Sequence, residues 1–143
     1  MTEHSYLFDF RRVSDFFSQW NVKFHTMEMN GGANFELVLA PYSPSNIRDC
    51  LTSNGSLDTT QVTGIRTANL GLNWSDDTIT IANDVTFTLG NETIPLKAIF
   101  IRHKSSGYVM GYSINQNSVS VTNKVIFDKD TIVWSIHDGG VNG

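Results

Sequence analysis

The side chains of this sequence most able to hold a metal or move a proton are four histidines, one cysteine and two acidic groups. His4, His25, His103 and His137 stand far apart, without the short-range spacing of a zinc site. His103 lies between Arg102 and Lys104 at the end of an apolar run, a context that predicts a solvated turn. Cys50 has no second cysteine to pair with; the expectation is a small buried apolar residue rather than an intermolecular bridge or a reactive thiol. Asp76 and Asp77 with Asp84, and Asp128 with Asp130, could offer oxygens to calcium. Neither group has the D-x-D-x-D-G order of a calcium loop, and both fall between predicted strands, where aspartate makes turns. There is no P-loop, G-x-G-x-x-G, H-E-x-x-H, C-x-x-C or G-x-S-x-G, and no pair of acids is singled out for glycosidase chemistry. The expectation is a protein without enzymatic activity, cofactor or metal. Three N-x-[ST] sequons, at Asn54, Asn73 and Asn91, are what a chain with 13 Asn, 14 Ser and 14 Thr gives by chance.

Composition points the same way. Charged residues make up 17% of the 143 residues, against about 25% in ordinary soluble domains. Ser, Thr and Asn take their place, as in β-rich proteins whose surfaces meet other protein. The net charge is −4, and Lys and Arg form no run, so nucleic acid is not an expected partner. No apolar run reaches the about 20 residues that span a bilayer as a helix, so no membrane is expected either. Thr2, Glu3 and His4 are unlike the basic start of a signal peptide, and a soluble chain made in a cytoplasm is expected.

The elements that would position these residues are mostly strands. Val13, Phe16, Phe17 and Trp20 fall at i, i+3, i+4 and i+7, one face of a short helix, preceded by Tyr6, Phe8 and Phe10. That helix or arm would either cap the sheet or dock on a neighbour, since aromatics anchor interfaces. Residues 22–29 and 35–40, joined by "NGGAN", predict a hairpin. Ser43 as N-cap, Pro44 at the first helical position and Asn54-Gly55 at the close predict one or two helical turns or an ordered loop. Beyond residue 59 short strands follow: 77–82, 84–89, 96–102, 108–114, 118–122, 124–127 and 131–136. Ile79 and Ile81, then Val85, Phe87 and Leu89, are expected inward, with the intervening threonines outward. The fold class is mainly β: an antiparallel β-sandwich or open barrel with a short N-terminal helix. Residues 1–34 form the aromatic helix or arm and first strand, and 35–143 the sandwich, packed as one compact unit.

One stretch, "IFIRHKSSGYVMGYSIN" (99–115), is apolar on both faces of both its strands. A half-exposed strand shows one polar face, so the second face needs a cover. Met110, Tyr112 and Ile114 are expected on one face. Either set could meet another subunit or the N-terminal segment.

Several stretches between residues 35 and 136 resemble a family of small virion structural proteins of tailed bacteriophages. They are "FELVLAPYSPSN" with Tyr42 and Pro44, "DDTITIANDVTFT" with Asp84 to Phe87, "KAIFIRHKSSGYVMGYSIN" with Gly111 and Tyr112, and the closing "SVSVTNKVIF" and "TIVWSI". The resemblance implies a non-enzymatic virion component assembled in the host cytoplasm. It would be a capsid auxiliary or decoration protein on the major capsid protein or its neighbours, homo-oligomeric or held by many weak contacts. Phe8, Phe10, Phe16, Phe17, Trp20, Met110 and Tyr112 are the expected interface residues. The alternatives are a neck or tail component, or a carbohydrate- or receptor-binding sandwich whose Trp74, in the polar "GLNWSDD", would stack on sugar.

Overall fold

The structure, a computed structural model, describes residues 2–4, 11–12, 35–75, 78–130 and 132–135. The helix expected over 13–20 and the strand expected over 22–29 lie outside them. Within them the protein is mainly β, with antiparallel sheets. Strand β3 (Phe35–Ala40) opens the larger sheet's core. It pairs antiparallel with β4 (Arg66–Leu70) on one side and with the end of β7 (Val85–His103) on the other. β7 pairs along its length with β8 (Val109–Phe127). Two short strands that the sequence pattern did not reveal add to β8: β1 (Thr2–His4), parallel, and β2 (Arg11–Arg12), antiparallel. A second sheet takes the order β5 (Leu72–Ser75), β6 (Thr78–Ile81), β9 (Ile132–Ser135).

The five short strands expected between 84 and 127 are two long ones. Gly90, with φ +64°, stands opposite Asn123, with φ +74°. Glycine enters this left-handed region without steric cost and asparagine more readily than most. The register therefore shifts there, and the strands bend instead of ending. Val85, Phe87 and Leu89 are buried and Thr86 and Thr88 exposed, in the alternation expected.

Both faces of the central strands are buried. Phe35, Leu37, Leu39, Ile99 and Ile101 point into one core, where Leu72 and Ile81 of the second sheet join them. Val38, Ala40, Ala98 and Phe100 point into another, closed by Ile47, Cys50, Leu57 and Val62. Those four come from the excursion 41–65 between β3 and β4. It contains one helical turn, α1 (Ile47–Cys50), whose N-cap is Asn46 rather than Ser43: Asn46 Oδ1 accepts from the Arg48 amide at 2.9 Å. The excursion is tied down by bridges Tyr42↔Thr63, Leu51↔Leu57 and Ser56↔Tyr108, and by the Val109 amide donating to the Gly55 carbonyl. The chain's own 41–65 segment thus covers the second apolar face of 99–115, which needs no second subunit.

Candidate functional site

Of the expected interface residues, Phe8, Phe10, Phe16, Phe17 and Trp20 lie outside the described residues. Met110 and Tyr112 are described, and they correct the sequence reading. Met110 is fully buried in the first core and Tyr112 is buried in the second, on opposite faces of β8. The cause is a register shift. Arg102 faces Val109 while Ile101 faces Gly111, so one extra residue enters β8 and reverses the alternation. Both side chains pack within the chain's own core and present no docking surface.

His103 is not solvated either. It is buried, its ring meets Phe35 edge-on at 5.3 Å, and its Nδ1 lies 2.7 Å from Ser106 Oγ. Burial pushes its pKa below the ordinary histidine value. The neighbouring cations are held by side chains across the sheet. Arg102 forms a largely buried ion pair with Glu36, directly opposite on β3, at 2.8 Å, and Lys104 donates to Asn69 Oδ1 at 2.8 Å. Cys50 is fully buried, as expected, and desolvation raises its thiol pKa to about 11. Its Sγ donates to the Asn46 carbonyl at 3.4 Å.

Of the acidic groups, Asp76 and Asp77 lie outside the described residues. Asp84 Oδ1 accepts from the Lys129 amide at 2.6 Å, and the Asp130 amide donates to the Ile81 carbonyl at 2.8 Å. Among the described residues no three His, Cys, Asp or Glu side chains come together around a possible metal position. Trp74 stands in β5, opposite Ile79.

The residue that the structure brings forward is Tyr42. Its side chain is 58% exposed, the most exposed large hydrophobic among the described residues. Its backbone is fixed: its carbonyl accepts from the Thr63 amide at 3.1 Å. Gly64, at φ +70°, leaves the space beside Pro41 and Tyr42 without a side chain; a Cβ there would sit 3.6 Å from Cδ2 of the Tyr42 ring. The signal was present in "PYSP": prolines on both sides, which lack the amide hydrogen that a ladder or a helix uses, mark where the chain leaves the regular strand. The other exposed large apolar side chain among the described residues is Val119, at 43%. No family model, curated protein or solved structure matches the chain.

Proposed function

We propose that this protein is a non-enzymatic structural component of a tailed-bacteriophage virion, a capsid auxiliary or decoration protein attached to the major capsid protein. The observation that carries the reading is Tyr42. An aromatic anchor on a braced turn, next to a domain whose two cores are closed by its own chain, suits attachment of a finished unit to a lattice. Tyrosine is among the residues that dominate interface energetics, because a large ring is placed at small entropic cost. Tyr42 also lies within one of the stretches that carry the family resemblance. Attachment at many equivalent sites makes modest individual contacts sufficient.

The test is quantitative mass spectrometry of purified phage particles from the source culture, scaled to the major capsid protein. A copy number comparable with the capsid protein is expected. A handful of copies moves the protein to the neck or tail, and absence from the particle overturns the reading. Tyr42→Ala should leave the fold intact and weaken attachment. Loss of an interface anchor costs about 2 kcal/mol or more, roughly 30-fold in affinity. Unchanged attachment removes Tyr42 from the contact.

A further inference from the structure

Strand β8 has an outer edge whose middle no described strand covers. β2 pairs with residues 111–112 and β1 with 124–126, which leaves 113–123 between them. From Ser113 to Asn123 there is no charged residue and no proline, the devices by which proteins ordinarily guard a strand edge. Leu96 faces Val119 while Ala98 faces Ile114, so residues 115–118 of β8 stand against Lys97 alone and the register of the β7–β8 ladder breaks there. At the other end Asn123 turns into the left-handed region. Between these two irregularities, Val119 to Thr122 form a regular ladder with Leu96 to Thr93.

Val119 is 43% exposed although its partner Leu96 is fully buried and Val121, two residues on, is 1% exposed. The first core therefore reaches this edge and stops with an open apolar side chain. On the other face the threonine hydroxyls of Thr93 and Thr122 meet at 2.6 Å.

We infer that this edge pairs with the same edge of a second copy, antiparallel about a twofold axis at Ser120. The sequence Ser118-Val119-Ser120-Val121-Thr122 is its own complement in that arrangement. Val119 falls opposite Val121 of the second copy, Ser118 opposite Thr122, and Ser120 opposite Ser120. β-branched pairs then share one face and hydroxyl pairs the other, the combinations that stabilise antiparallel neighbours. Charge selects the occupant. Like charges directly opposite each other repel, and in a self-pairing edge every charge near the axis meets its own kind. This edge carries none. A twofold contact also closes after two copies and leads to no fibre. Five residues a side fall well short of the about 1,200 Å² of a stable interface, so the pairing is weak in free solution and gains strength where copies are held together. The inference does not rest on the virion reading.

The test is a cysteine trap in the full chain. The native Cys50 is fully buried and stays silent. Ser120→Cys places two thiols face to face across the axis, with Cβ atoms about 5 Å apart. Ser118→Cys separates its own two copies by four residues, about 13 Å along the strands. At high protein concentration, oxidation or a short bis-maleimide should give covalent dimer from Ser120→Cys and at least tenfold less from Ser118→Cys. Adding Val119→Lys to Ser120→Cys should abolish the dimer while the circular dichroism melt is unchanged. Thr122→Lys, another surface change beside the axis, supplies a second disruptor. Dimer from neither cysteine variant overturns the inference, as it would if the chain's own N-terminal segment held the edge. Equal dimer from both overturns it as random collision. Dimer that survives both lysine substitutions overturns it too.

Discussion

The imidazole of His103 sits beside Phe35 and the Ser105–Ser106 turn, with Nδ1 2.7 Å from Ser106 Oγ. Burial among apolar neighbours disfavours the charged form of the ring. The pKa is therefore lower in the folded chain than the about 6.5 of the unfolded one. A depressed folded value means that the unfolded state binds the proton first. The stability involved is present above about pH 6.5 and is lost as pH falls through the folded pKa. Urea midpoints should therefore fall between pH 7 and pH 5, and His103→Gln should flatten that slope. An unchanged slope would place the titration elsewhere. Sequence neighbours were a poor guide to this residue. Arg102 and Lys104 suggested solvent, yet each reaches a partner across the sheet, Glu36 and Asn69, while the histidine between them faces the core. Cys50 was legible because no chemistry competed with its packing.

At the scale of elements, the strand character of 35–40, 85–89 and 96–102 followed directly from alternation and β-branched content. Their continuity did not. Gly90 and Asn123 have the composition of a turn, and only the pairing of the two with each other shows that they make a bend inside a ladder. The same limit misplaced Met110 and Tyr112, because a single inserted residue is invisible in one strand's sequence and exists only as a mismatch against its partner. The doubly apolar stretch 99–115 was read correctly as needing two covers, but the 41–65 excursion, read as one or two helical turns or an ordered loop, was not recognised as the second of them. Phe100 tests that cover. It is fully buried among Val38, Cys50, Val62 and Tyr112 of the second core. Phe100→Ala should cost about 3–5 kcal/mol in urea unfolding of the dilute, monomeric protein, the usual range for a buried phenylalanine. A cost under about 1 kcal/mol would mean that the excursion does not close this face in the free chain.

At the scale of the whole molecule, every side chain in the two cores of the described residues comes from between Phe35 and Phe127. Residues 2–4 and 11–12 contribute backbone pairing to β8 at its two ends. The sequence reading sets an aromatic N-terminal segment against a β unit beginning at residue 35, and a boundary there has a consequence for folding. A chain starting at residue 35 keeps both cores, the excursion and the long hairpin, so it should unfold cooperatively in urea. Its denaturant slope should shrink in proportion to the surface that residues 1–34 no longer contribute. Removing β1 and β2 also bares Gly111–Tyr112 and Lys124–Ile126 of the β8 edge, and an unguarded edge recruits further strands. The shortened protein should therefore be folded by circular dichroism but elute as larger, concentration-dependent species in size exclusion. A broad, non-cooperative transition would show instead that residues 1–34 are integral to the cores. A folded, strictly monomeric fragment would show that the β8 edge does not recruit partners even when its guards are removed. Because folding and association are read separately, the division into two segments and the exposure of the edge stand or fall independently.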